Sequence, residues 1–391
     1  MTATVEELAG PDAHAAFARL RATDPVAWVP TLNGWLVTGH DLVLAAMRDA
    51  EALTVDDPRF TTGRVIGPSM LSRDGAEHRR HRTPFTAPFR VGAVRERFTA
   101  RVEEEAVRLV DALAPRGGGE LRTELAAPLA ASVVATALGL ERVPVAQVLA
   151  WYGAIVDAVT QVTAGAPLPD AGRAGFEALR AAILPALDAD PLSSLVAAAA
   201  HEAHGALDRD EVVSNAAVLL FGGIETTEGM IANAFAHLLD HSDALAAVRA
   251  DPARLPAAAE ESLRLEPAAA TVDRYATRDL ELGGARITEG DLVMLSLAAA
   301  NRDPAHFADP DRFALDRGDA RRHLAFAGGP HVCIGVHLAR LEVHTALRVA
   351  LDRLPNLRRD PAAAAAPARG LVFRKPDTVH AVWDPGRAAA P

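Results

Sequence analysis

The chain has 391 residues, half of them apolar, which is enough to bury a large core. Its formal net charge of −11 argues against a general nucleic-acid binder, which would be basic. A single cysteine, Cys333, rules out an internal disulfide, so the fold does not depend on an oxidising compartment.

Met1 to Asp12 carries Glu6, Glu7 and Asp12 and lacks a basic start followed by an apolar run, so no signal peptide is read there. No stretch reads as the ~18 to 20 apolar residues that span a bilayer. The expectation is a cytoplasmic protein with no membrane anchor. Apolar residues recur at three- and four-residue steps near 11–22, 93–114, 121–139, 173–188, 209–240, 254–265 and 335–352, which predicts helices. Strand-like pieces are short: Gly34–Thr38, Asp279–Leu282, Leu292–Leu297 and Val379–Trp383. Two stretches are poor in helix, 51–75 and 301–335, and long irregular segments often carry function. No repeat and no clean linker divides the chain. Residues 1–391 are therefore expected to form one large domain, mainly α with small β-sheets. Lys375 is the only lysine among 40 lysine and arginine residues, which is read as genomic base composition.

Asp208 and Glu211 have the spacing of a capping box, which predicts the start of a long helix. Run to about His241, it would measure roughly 48 Å at 1.5 Å per residue. Its middle reads Phe221-Gly222-Gly223-Ile224-Glu225-Thr226-Thr227. Two glycines inside a helix cost roughly 1 kcal/mol each against alanine. Gly222, Gly223 and Thr226 share one face, which would form a shallow groove beside a hydroxyl, with a carboxylate next to it. Close helix packing at the glycine pair explains the same residues equally well.

Cys333 sits in Phe326-Ala327-Gly328-Gly329-Pro330-His331-Val332-Cys333-Ile334-Gly335, just before a helix. Unpaired N–H groups and the helix dipole there favour a thiolate. A lone cysteine is more often an apolar filler, but a filler needs no loop of glycines, proline and histidine. A nucleophilic role would need a base, and His331 at i−2 is poorly spaced for one.

Phe326-x-x-Gly329-x-x-x-Cys333-x-Gly335 resembles the haem-ligand signature of the cytochrome P450 family. Ala327 stands where most bacterial members have glycine, a small-for-small change. Gly222-Gly223-Ile224-Glu225-Thr226-Thr227 is similar to the family's oxygen-activation segment, with Gly222 in place of the usual alanine. Glu261 and Arg264 match the Glu-x-x-Arg helix motif, and Pro310-Asp311-Arg312-Phe313 resembles the loop whose arginine joins that pair. His78 and Arg82 match the His-x-x-x-Arg haem-propionate helix, and Arg274 another propionate arginine.

The resemblance implies heme b (iron protoporphyrin IX) with Cys333 as iron ligand. It implies His78, Arg82, Arg274 and His331 at the propionates, with Gly223 and Phe326 also against the cofactor. A thiolate ligand favours O–O cleavage; Thr226 and Glu225 would supply hydrogen bonds and protons. The pocket implied near Thr61–Leu71, Val218, Gly222, Met230, Ala270 and Phe373 is mainly apolar, so a lipophilic small molecule is expected. The chain carries neither a Gly-x-Gly-x-x-Gly fingerprint nor the cysteines of an iron–sulfur domain, which points to a separate ferredoxin or flavodoxin with its reductase. Arg79, Arg80, Arg321, Arg322 and Arg340 flank the relevant motifs. They form either a basic patch steering that donor or ordinary surface charges. Oxidative coupling is the alternative chemistry, and a haem gas sensor or carrier is the non-enzymatic one.

Overall fold

The computed structural model describes residues 3–163 and 166–385. The chain is mainly α-helical with small sheets. It falls into two compact units: one holds the described residues up to Leu53, Val102–Leu129 and from Glu225 onward, and the other holds Thr54–Arg101 and Ala130–Ile224. Three of the divisions fall inside the helices Val91–Leu113, Ala127–Ala137 and Arg209–Asp240. Continuous helix at these points explains why no linker is visible in the sequence.

The first unit contains the sheets. Val26–Val29 and Gly34–Val37 form an antiparallel hairpin. Gly34–Val37 pairs in parallel with Leu292–Ser296, which pairs antiparallel with Thr271–Ala276. Both faces of this sheet are buried: Val37, Val293 and Leu295 lie in one apolar cluster, and Leu36, Ala270 and Met294 in another. The C-terminal part adds a hairpin, Ala368–Arg369 with Lys375–Pro376, and a three-stranded sheet centred on His380–Val382. The segment 301–335 is irregular as expected, with single helical turns only at Ala320–Arg322 and Gly329–His331.

The second unit is helical. The capping box forms reciprocally: Asp208 Oδ1 accepts from the Glu211 N–H at 2.8 Å, and Glu211 Oε2 accepts from the Asp208 N–H at 3.0 Å. One expectation needs correcting. The helix Val145–Thr163 is long and apolar enough to cross a membrane by length and composition. In the fold it packs on Asp170–Ile183, with Ile155, Ala158 and Val162 buried. That contact is very close: a Cβ on Gly172 would lie 2.3 Å from the Ala158 Cβ, and one on Gly175 2.9 Å from the Ala154 Cβ.

Candidate active site

The cysteine loop is pressed onto the helix His40–Arg48. At Gly329, where φ is +67°, a Cβ would lie 2.3 Å from the Met47 carbonyl oxygen, so only glycine fits. The Cys333 N–H donates to the Phe326 carbonyl at 2.9 Å and closes the loop. The helix Val336–Arg353 begins three residues later. Cys333 is partly exposed, among the partly exposed Ile334 and Val336 and the exposed Val332. Ala327 is not a neutral replacement for glycine. Its φ is +57°, a left-handed conformation that costs an L-residue with a Cβ roughly 1 kcal/mol or more.

Two adjacent glutamates on the helix Leu255–Leu265 hold the irregular segment: Glu261 anchors its 301–317 part, and Glu260 the part next to the cysteine. Glu261 and Arg264 are fully buried and paired through two contacts of 2.8 Å. The second guanidinium at Glu261 belongs to Arg317, whose Nε donates at 2.9 Å. Arg312, the residue expected from the sequence, points its side chain to the surface near Asp316. Only its backbone carbonyl takes part, accepting from Arg264 and Arg317. The loop carries Arg312 outward and brings Arg317 back in, where its Nη atoms also reach the carbonyls of Ala308 and Asp309. Glu260 reaches the cysteine helix. It accepts from Arg340 at 2.5 and 2.8 Å and lies 3.2 Å from His323. Burial alone would raise this carboxyl, but His323 and Arg340 outweigh it and hold it at about 2. Arg340 also lies over the Phe326 ring, 4.8 Å from its centroid. Arg340 is therefore a structural cation and not part of a free basic patch.

His78 and Arg82 lie on the helix Gly75–Thr86, where His78 is 4% exposed. That helix is fixed to the long one. Arg80 donates to Glu211 at 2.6 and 2.8 Å, and His81 meets the Asn215 amide at 2.8 Å. The Arg80 contact is the main cause of a Glu211 carboxyl lowered to about 2. Arg80 is thus committed to a structural pair as well. Arg274 is buried on the strand Thr271–Ala276, with Nη1 donating to the Asp273 carbonyl at 2.7 Å. His331 ends the single turn Gly329–His331.

The two glycines of the long helix behave differently. A Cβ on Gly223 would lie 2.9 Å from the Val134 Cγ2, so this glycine permits close helix packing and does not contribute the expected groove. A Cβ on Gly222 would meet no described atom within 4 Å. The open side belongs to Gly222 alone. Glu225 follows, 2.9 Å from the Lys375 ammonium, which also lies 3.2 Å from Glu228. Arg122 Nε donates to Glu228 at 2.6 Å. Lys375, Glu228, Arg317 and Glu260 were not singled out from the sequence. The one available signal was that Lys375 has no other lysine for company.

Of the expected pocket residues in the first unit, Met230, Ala270 and Phe373 come from neighbouring segments. Ala269 bridges Phe373, the Ala270 N–H donates to the Val372 carbonyl at 2.8 Å, and a Cβ on Gly229 would touch Ala268. Ala270 itself is fully buried in the core cluster of the sheet. Val218, in the second unit, is buried.

These residues fit a haem thiolate. The only thiol is partly exposed beside apolar side chains that are themselves partly open, Ile334 and Val336.

Residues 180–355 match the cytochrome P450 family model. The chain is 35% identical over 362 residues to the cytochrome P450 monooxygenase PikC of Streptomyces venezuelae, covering 89% of this chain and 85% of that protein. It is 32% identical over 372 residues to the 6-deoxyerythronolide B hydroxylase of Saccharopolyspora erythraea, covering 88% and 89%. Its fold matches the crystal structure of CalO2 with a TM-score of 0.85 and 30% identity, over 96% of this chain and 97% of that one. Thiol, brace, long helix and relatives agree: the chain belongs to the cytochrome P450 family and is a haem-thiolate monooxygenase.

Proposed function

We propose that this enzyme inserts one atom of dioxygen into a lipophilic small molecule by hydroxylation or epoxidation. The observation that carries the reading is the placement of the only thiol, partly exposed on a glycine loop beside the Glu260–Arg340 pair. The bound cofactor, heme b, supplies the oxygen-activating iron. Cys333 holds that iron. His78, Arg82, Arg274 and His331 meet its propionates through charge-assisted hydrogen bonds. Thr226 would offer its hydroxyl as a hydrogen-bond partner to dioxygen or a water on this side, and Glu225 would carry protons in from solvent. Gly222 leaves the long helix open at that level. Val218, Met230 and Phe373 would give the substrate side its apolar character, while Ala270 is taken up in the sheet core.

Relatives of this chain carry names of specialised-metabolite steps, among them pentalenic acid synthase and nocardicin C N-oxygenase. Those names support a tailoring role on a specialised metabolite. Electrons come from a separate ferredoxin or flavodoxin with its reductase. Arg79, Arg321 and Arg322 are exposed and would steer an acidic donor. A cytoplasmic setting without a membrane anchor suits such a pair.

A reduced, carbon monoxide-treated sample tests the core of this reading. A strongly red-shifted Soret band is expected, and a histidine-type band overturns it. Thr226→Ala is expected to divert reducing equivalents to hydrogen peroxide. Unchanged coupling removes Thr226 from the reaction.

A further inference from the structure

We propose that Lys375 is the positioning residue for Glu225, holding its carboxylate in place from a rigid C-terminal hairpin. This rests on the proposed role of Glu225 as proton donor.

The contact geometry is specific. Glu225 and Glu228 stand three residues apart on the long helix, so their carboxylates share a face. The Lys375 Nζ lies between them, at 2.9 and 3.2 Å. Glu228 has a second cation, Arg122, on another element, and Arg122 Nη1 donates to the Asp377 carbonyl at 2.6 Å. All four side chains are largely buried, Glu225 13%, Lys375 16%, Glu228 6% and Arg122 24% exposed, so the ammonium holds the two carboxylates where water screens little.

The lysine is held where it is needed. The neighbouring Arg374 is 1% exposed. It bonds Glu266 at 2.8 Å and three backbone carbonyls, of Gly10, Gly370 and Ala368. Its own N–H donates to the Ala268 carbonyl at 2.9 Å, and its carbonyl accepts from Asn233 at 3.0 Å. The Lys375 stem then crosses the long helix at Gly229, where a Cβ would sit 3.6 Å from both the Cβ and the Cδ of Lys375.

Composition adds an independent argument. Arginine occupies every other basic position in the chain, yet this one is lysine. A guanidinium is a planar fork matched to one carboxylate, whereas an ammonium is compact and can turn three donors toward two. The site needs the second geometry. Without Lys375, Glu225 would lose this ammonium and face the Glu228 carboxylate with no cation between the two. Glu225 would then swing away from its working position.

The contact is tested on holoenzyme grown with [15N]lysine, reduced and bound to carbon monoxide. The single ammonium is expected to give one signal at neutral pH, slowed in exchange by its ion pairs. Glu225→Gln and Glu228→Gln should each shift or broaden it. A signal that exchanges as fast as free lysine overturns the proposal.

The role is tested by oxygen consumption with NADPH, a surrogate ferredoxin and its reductase, in water and in deuterium oxide. Lys375→Met is expected to raise the solvent isotope effect at least twofold and the peroxide fraction several-fold. Lys375→Arg should recover part of both, and the carbon monoxide spectrum should stay thiolate-type throughout. If Glu225→Gln alters these values and Lys375→Met does not, the role of Lys375 fails alone. If Glu225→Gln alters neither, the relay reading fails and takes this proposal with it. Should Lys375→Met not fold, Lys375→Arg and Glu228→Gln carry the test, and wild-type values in both overturn it.

Discussion

Cys333 and Glu225 belong to the same unit, but their surroundings are built on different terms. The cysteine loop and the irregular segment leading into it are held by carboxylates shut off from water, with Glu261 and Arg264 at 0% exposure and the Glu260 side chain at 3%. Glu225 is held by an ammonium that is partly wet, with Arg122 beyond it wetter still. A buried ion cannot lose its partner without being stranded in a low dielectric, so such pairs keep a shape. A partly solvated ion exchanges partners at little cost, which suits the proton-passing role proposed for Glu225. Changes to the first set should therefore register in stability and haem retention, and changes to the second in the reaction.

The sharpest break is Arg264→Met, which leaves buried Glu261 with Arg317 alone and takes the donor from the carbonyls of Asn301, Pro310 and Arg312. A loss of about 3–5 kcal/mol is expected in denaturant unfolding, with poor haem retention. Glu260 comes next and gives a pH signature. Its carboxyl sits at about 2 in the folded protein, below its ordinary value near 4.5. The stability it contributes, roughly 3 kcal/mol, is complete above pH 4.5 and is lost as pH falls toward 2. Thermal unfolding of Glu260→Gln should be far below wild type at pH 7, and the two curves should converge in acid. The Arg317 and Arg312 pair sharpens the comparison further. Arg317→Ala removes a charged hydrogen bond to a buried carboxylate and should cost about 2–3 kcal/mol. Arg312→Ala removes only a long, exposed contact and should stay within about 0.5 kcal/mol of wild type. Equal effects would mean that both arginines serve the glutamate. The smallest effect runs the other way. Ala327→Gly relieves a left-handed φ and should stabilise by up to about 1 kcal/mol, read as a small rise in Tm.

Local features were readable from sequence because their partners are close along the chain. The capping box at Asp208 and Glu211 needs only three residues and an amide at each end. The cysteine loop shows itself within ten residues of one thiol. Features that depend on the path of the backbone were not readable. Arg312 and Arg317 lie five residues apart in a segment without a regular period, so spacing alone does not say which turns inward. The Gly222–Gly223 pair looked like one groove because Val134, which fills one side of it, is remote in sequence. The helix Val145–Thr163 passed unnoticed because the small residues that seat Asp170–Ile183 against it lie beyond the next turn. Ala327 looked harmless because size is visible in a sequence and φ is not.

The solitary thiol has a practical side. With no second cysteine to compete, alkylating reagents have one target in the whole chain. Iron coordination and alkylation exclude each other at that sulfur, so the moles of maleimide taken up report the share of molecules lacking cofactor. The same economy removes any sacrificial group: an oxidant that finds a thiol finds the proposed ligand, and overoxidation there is irreversible. Preparations stripped of cofactor should therefore lose reconstitution competence in air, one sulfur at a time, and a reductant in storage should preserve it.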